Sequence, residues 1–365
     1  MIVYYDESIM TYVASLRSYF GLEPYRPGNE KFSKLLEERK PKKVFVVLVD
    51  GMGTNLIKRK LPEDSFLRKN LLYETTTVFP PTTTAATTSI QNGRCPNENA
   101  WLGWMQYMDE LDDVIIPFYG KGYYNDKDYG HDYMYGNVPV KFMDEELREK
   151  GFGARVLFPD FRKDGCKDFD TMCRRLIGYS HSDEYAYIYA YWDKYDSYMH
   201  SYGPDAKICD AYLEHINYEL ENLAAKLSND TLLMIVADHG QVAVDECINL
   251  YDDYACYFRH KPSIEARAMA FFIKDGLKEE FEKKFKEEFE ERFLLLSHQD
   301  ILDTHLFGTG QNHERFEDFI GDYLAIAKKG CCLYYNEKGE KSDMLGQHAG
   351  MCEDELNVPI IIYMK

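Results

Sequence analysis

Four apolar runs constrain this chain more than any other feature: "KVFVVLV" at 43–49, "YAYIYAY" at 185–191, "TLLMIVA" at 231–237 and "VPIIIYM" at 358–364. Each has the length of a single strand. None alternates apolar with polar residues, so each must be covered on both faces, as parallel strands are. Helical patterns lie between them, clearest in "DAYLEHINYELENLAAKL" at 210–227. The runs therefore predict an α/β fold, an open and mostly parallel sheet with helices on both faces.

Two segments interrupt that rhythm. Residues 105–150 are rich in Tyr, Asp and Gly and read as long surface loops. Residues 255–345 read as an inserted α+β subdomain within a catalytic domain formed by 1–254 and 346–365. The insertion holds a strand candidate at 268–273 and a helix candidate at 277–293. Along that helix Phe281, Phe285, Phe289 and Phe293 recur every fourth residue, an apolar stripe expected to pack on the insertion's own strands.

With 365 residues and a net charge of −19, the chain shows no basic stripe. A nucleic-acid polymer is therefore not an expected partner. A small anionic substrate needs cations held in the site, from arginines, lysines or metal ions. The N-terminus lacks the pattern of a secretion signal, and no run reaches the ~20 apolar residues of a membrane span. Nine cysteines at irregular spacing, with Cys331 and Cys332 adjacent and no CxxC pair, suggest reduced and mostly buried thiols in a cytoplasmic protein. Oligomeric state is not legible.

Open α/β sheets bind ligands at the carboxyl ends of their strands, so the residues just beyond each run matter most. Asp50 follows the first run, Asp238 and His239 follow the third, and Asp193, Asp196 and His200 follow the second. His348 lies just before the last. Taken singly, an Asp after a strand is usually a turn or cap residue and a lone His a hydrogen-bonded one. Together, three of these carboxylates and the three histidines make two sets of three N/O ligands, a donor set suited to zinc, with manganese or iron as alternatives. Two such ions can clamp the attacking and leaving oxygens of a displacement at phosphorus. His131, His181, His215, His260, His298, His305 and His313 have no comparable setting. A metal pair of this kind needs a nucleophile, and "FPPTTTAATTS" at 79–89 offers hydroxyls at the start of a helix, where free N–H groups favour a phosphate oxygen.

In order, "VDGMG", "VFPPTTTAATTSIQNG", "DSYMHSYGP", "ADHGQV" and "GQHAGM" resemble the motifs of the alkaline phosphatase superfamily, most closely its nucleotide pyrophosphatase/phosphodiesterase branch. The resemblance spans roughly residues 40–365. It implies one zinc held by Asp196, His200 and His348, and a second held by Asp50, Asp238, His239 and a threonine nucleophile. Counting back from Gly93 selects Thr83, with Thr82 as the alternative, and Asp193 falls outside the motif. Two departures stand out. Ala86 occupies the position where the branch usually has an asparagine that helps hold the phosphoryl oxygen, and Asn92–Gly93 replaces a Thr–Gly pair.

The expectation is a two-metal phosphoester hydrolase, a phosphodiesterase or nucleotide pyrophosphatase acting through a covalent threonine intermediate on a small phosphoester or nucleotide. The alternatives are a phosphomonoesterase with the same metals and a non-catalytic phosphate-binding relative. A serine-dependent mutase and a sulfatase fit poorly, the latter because no CxPxR motif is present. Trp101 and Trp104 either stack a nucleobase or belong to the core. Glu265 and Arg267, in "SIEAR", read as a surface pair, with contact to substrate as the other reading.

Overall fold

The computed structural model describes residues 3–338 and 343–365. Its main sheet is formed by β1 (Lys43–Val49), β2 (Leu71–Thr76), β3 (Ala154–Leu157), β4 (Tyr187–Trp192), β5 (Thr231–Val236) and, after the insertion, β10 (Asn357–Tyr363). Their order across the sheet is β2-β10-β5-β1-β4-β3. Every residue of β1, β4 and β5 is buried, which explains why these runs carry no polar alternation. Successive side chains on β4 serve opposite layers. Tyr187 meets Phe20 beyond helix Ile9–Tyr19, whereas Trp192 meets Phe169 of helix Phe169–Ser180. The expected α/β sheet with helices on both faces is what forms.

One expectation is corrected. The last run is not parallel to the others: β10 pairs antiparallel with both β5 and β2. The reversal matters for the site. Parallel register sets Val49 beside Trp192 and Leu48 beside Val236, so Asp50, Asp193 and Asp238 all leave the sheet at one edge. An antiparallel β10 begins at that same edge, so the segment before it, with His348, arrives where the others depart. β2 ends there too, since Thr76 pairs with Asn357.

The helices include α1 (Thr83–Asn92), α2 (Lys194–Tyr202), α3 (Lys207–Lys226) and α4 (Lys278–Phe289). Of these, α3 forms over the clearest helical pattern of the sequence. α1 ends at Gly93, whose φ is +82° and where a Cβ would come within 2.5 Å of the buried Arg17 side chain. Only glycine fits there.

Residues 255–345 hold a second, antiparallel sheet of β6 (Phe258–Ile264), β7 (Ala268–Ile273), β8 (Phe293–Ser297) and β9 (Tyr323–Ala327), ordered β6-β7-β9-β8. α4 lies on it: the rings of Phe281 and Phe285 pack against Phe271 at 5.2 and 5.6 Å. The helix stops at Phe289 rather than 293, and Phe293 instead opens β8 while still touching Phe289. The 105–150 stretch is more ordered than a set of loops. It contains a three-stranded antiparallel sheet, Gln106–Met108, Asp113–Ile116 and Lys121–Gly122, and helices Tyr133–Asn137 and Met143–Glu149. Strands of two to four residues are too short for alternation to show.

Candidate active site

Asp50, Asp196, Asp238, His200, His239 and His348, the six residues expected to hold metal, meet at the sheet edge. Asp50 and Asp238 sit directly beyond β1 and β5, both buried. Gly51 takes φ +72°, and a Cβ there would lie 3.1 Å from the Asp196 side chain, so glycine lets these strand ends converge. The Gly51 and His239 N–H groups both donate to Asp238 Oδ1, at 3.2 and 3.0 Å. On α2, Asp196 and His200 are one turn apart and therefore on one face. His200 Nε2 lies 3.1 Å from Asp196 Oδ2, and His348 Nε2 lies 4.0 Å from Asp196 Oδ1.

The histidines share one arrangement. The Nδ1 of His200 faces the Gly346 carbonyl at 2.7 Å, that of His239 the Gly240 carbonyl at 3.0 Å, and that of His348 the Pro81 carbonyl at 3.1 Å. A carbonyl only accepts, so each Nδ1 carries a proton and each Nε2 is the ring atom left to meet a metal ion, the orientation typical of metal-bound histidine. The rings of His239 and His348 stack at 3.8 Å.

At this edge two trios offer ligand atoms that all lie within 4.8 Å of one another, Asp50, Asp238 and His239, and Asp196, His239 and His348; a third such trio, Asp170, His215 and Glu219, lies only half-buried elsewhere and gives His215 a setting the sequence did not suggest. His239 thus borders both trios at the edge, while His200 meets the other oxygen of Asp196. Asp50 Oδ1 and Asp238 Oδ2 are buried without a hydrogen-bond partner. Unpartnered buried carboxylate oxygens carry a large desolvation cost, and a bound cation removes it. Burial, with the charges of Asp238 and Asp196, pushes the Asp50 carboxyl well above its ordinary range, and burial raises Asp238 as well. Burial opposes charge on His200, but Asp196 beside it raises its pKa to about 9. Burial and the neighbouring His239 lower that of His348. A metal-free cluster would therefore hold protons in place of cations, and the donor set fits divalent metal ions.

Thr83 opens α1 and is only half-buried. Its Oγ1 lies 3.2 Å from His239 Nε2 and donates to Asp50 Oδ2 at 3.3 Å. The Thr82 hydroxyl turns away and donates to Glu265 Oε1 at 2.5 Å. That same oxygen accepts the Trp104 N–H at 2.7 Å. Asp193 is half-buried, with one oxygen lacking a partner, and is not part of either trio.

Three contributors were not among the ligands read from the sequence. The Tyr191 hydroxyl donates to Asp50 Oδ2, and Gln241 donates to Asp196 Oδ1 at 2.6 Å. The third is Glu265, for which the surface-pair reading is corrected. It is buried, and burial lifts its pKa to about 7. Ile264, just before it, holds φ +77°, a costly conformation for a β-branched residue. Arg267 is also buried and pairs with Glu355 at 2.7 Å rather than with Glu265. Trp101 belongs to the core, with its Nε1 donating to the Val138 carbonyl, whereas Trp104 is half-buried against Tyr119. The signal that could have found Gln241 was its place inside "ADHGQV".

Buried carboxylates with no lysine or arginine beside them fit a metal-dependent enzyme, and the family comparison makes that enzyme a phosphoester hydrolase. More narrowly, the chain belongs to the type I phosphodiesterase / nucleotide pyrophosphatase family, whose model matches residues 115–351, more than half of its length. Asp50 and Thr83 lie ahead of the matched region, and the other five candidates lie within it.

Among solved structures, murine ectonucleotide pyrophosphatase/phosphodiesterase 5 is similar at a TM-score of 0.68 and 17% identity, over 88% of each chain. An inactive threonine-to-alanine variant of that murine protein, in complex with AMP, aligns at a TM-score of 0.67 and 16% identity, again over 88% of each chain. Phosphonoacetate hydrolase from Sinorhizobium meliloti 1021, in complex with phosphonoformate, is similar at 0.65 and 13% identity, over 89% of this chain and 90% of that one. At such identities the likeness concerns the fold. No curated protein matches the chain by sequence.

Proposed function

We propose that the chain hydrolyses phosphodiesters of the nucleotide type, with Thr83 as nucleophile. The observation that carries this reading is the Thr83 hydroxyl, half-exposed at a helix start and within 3.3 Å of both Asp50 and His239. We assign Asp50, Asp238, His239 and Thr83 to one metal ion and Asp196, His200 and His348 to a second, with zinc as the first choice and manganese or iron as alternatives. When bound, such ions lower the pKa of a coordinated hydroxyl and neutralise charge on phosphoryl oxygens.

The chain's own residues supply the rest. Thr83 Oγ1 gives up its proton to solvent and attacks phosphorus, the bond from phosphorus to the leaving oxygen breaks, and that oxygen takes a proton from water. Water then cleaves the phosphothreonine or nucleotidyl-threonine and restores the hydroxyl. The free N–H groups at the start of α1 face the phosphoryl oxygens, which lack the side-chain donor that Ala86 cannot provide. Glu265 fixes the Thr82 side chain and the Trp104 backbone together, so the half-exposed Trp104 ring is our candidate for stacking a base. We read 1–254 with 346–365 as the catalytic unit and 255–345 as its insertion, a division supported by the separate sheet β6–β9.

The test compares bis-p-nitrophenyl phosphate with p-nitrophenyl phosphate, using protein of known metal content, with and without chelator. Chelator-sensitive preference for the diester is expected. Preference for the monoester would instead make Ala86 the mark of a phosphatase.

A further inference from the structure

We propose that Cys247 and Cys332 are a redox-active pair that closes to a disulfide between a strand just ahead of the 255–345 segment and a strand within it. Their sulfurs stand 2.9 Å apart, inside the roughly 3.5–4.0 Å of ordinary non-bonded contact between heavy atoms. The backbone already permits the bond. Glu246–Asn249 and Cys331–Tyr334 form a two-stranded parallel ladder in which Cys247 is the direct partner of Cys332. Adjacent strands lie about 4.7–4.9 Å apart, within the ~4.4–6.8 Å span of Cα atoms that a disulfide bridges.

None of the other seven cysteines has such a partner among the described residues. Cys331, on the opposite face of its strand, has its sulfur 3.8 Å from the Arg292 carbonyl, and that of Cys352 is 3.4 Å from the Lys328 carbonyl. Cys256 is exposed, and Cys95, Cys166, Cys173 and Cys209 are buried apart.

The two thiols have different access. Cys247 is half-buried and Cys332 is buried. Burial, with the neighbouring Cys247, holds the Cys332 thiol well above its ordinary range. The first reaction therefore falls to Cys247. With a low-molecular-weight disulfide as oxidant, the Cys247 thiolate attacks one sulfur, the small disulfide breaks, and one small thiol leaves. The Cys332 thiol then gives up its proton and attacks the Cys247 sulfur, displacing the second small thiol. Two protein thiols are oxidised and one small disulfide is reduced.

The bond would clasp two chain passages that each lead to the metal cluster. Cys247 lies shortly after Asp238 and His239, and Cys332 precedes His348, with Val242–Ala243 paired to Gly346–Gln347 in between.

The experiment incubates the full-length protein with oxidised glutathione, then blocks and maps free thiols by mass spectrometry. The expected result is loss of both the Cys247 and the Cys332 thiols, with no glutathione retained on either, and recovery with dithiothreitol. Cys331→Ser and Cys256→Ser should still lose both. Cys247→Ser should keep the Cys332 thiol, and because the Cys247 side chain is half-buried, this variant decides the matter even if Cys332→Ser folds poorly. Free thiols at both positions, a glutathione adduct that persists on Cys247, or loss of the Cys332 thiol in Cys247→Ser would each overturn the proposal.

Discussion

Thr82 and Thr83 are chemically identical neighbours that the fold sends to different partners. Thr83 faces Asp50 and His239, while Thr82 is tied to Glu265. The tie makes a prediction about pH. Burial lifts the Glu265 pKa from 4.5 to about 7, so its protonated form is the one the fold favours. That contribution to stability is complete below about 4.5 and is lost as pH rises through about 7. Glutamine keeps an oxygen that can accept from both Thr82 and Trp104. In metal-free protein the urea midpoint of the wild type should decline between pH 5 and pH 8, and Glu265→Gln should flatten that decline. Identical slopes would contradict this. At this scale the ligands were legible because motif order carried them. Glu265, Gln241 and Tyr191 were not, because a buried polar residue that supports a ligand carries the same letters as a surface or core residue. The structure adds the Nδ1–carbonyl contacts, which no sequence pattern displays.

At the level of elements, legibility followed burial. β1, β4 and β5 are covered on both faces and read as unbroken apolar runs. β2 is only partly buried and β3 has four residues, so neither carried a signal. Strand direction is not written in composition either: β10 reads like its parallel neighbours, and only the register shows its reversal. That reversal, rather than a fourth parallel strand, is what brings His348 to the cluster. The phenylalanine stripe of α4 was legible as far as Phe289, and its fourth member continues the same cluster from β8. Phe285 is 1% exposed and touches Phe271, Phe281 and Phe289. Phe285→Ala should lower unfolding stability by about 3–5 kcal/mol, measured by denaturant titration. A loss below ~1 kcal/mol would mean that the stripe collapses around the gap or is not core.

For the molecule as a whole, the antiparallel sheet is pinned to the main sheet by one buried ion pair. Arg267, just before β7, meets Glu355, just before β10, through two nitrogens at 2.7 and 2.9 Å. Both side chains are fully buried, and Arg267 also donates to the Lys329 and Cys331 carbonyls. Removing one partner leaves the other charge stranded. Glu355→Ala should cost about 3–5 kcal/mol in unfolding free energy, whereas a surface pair such as Lys34–Glu38 should cost at most ~1. A loss no larger than the surface control would show that this joint does not hold the two sheets together. The net charge of −19 belongs to this scale as well. The cluster adds carboxylates to an already acidic molecule, which is sustainable where cations are bound.

The proposed chemistry rests on Thr83 acting within a metal-bound cluster, and one measurement addresses it directly: turnover of bis-p-nitrophenyl phosphate by wild type and Thr83→Ala at equal, measured metal content, with Thr82→Ala alongside. Thr83→Ala should still bind metal but lose on the order of 10³-fold or more in kcat, while Thr82→Ala keeps most of its activity. Retained turnover in Thr83→Ala, or an equal loss confined to Thr82→Ala, would contradict the assignment of Thr83 as nucleophile.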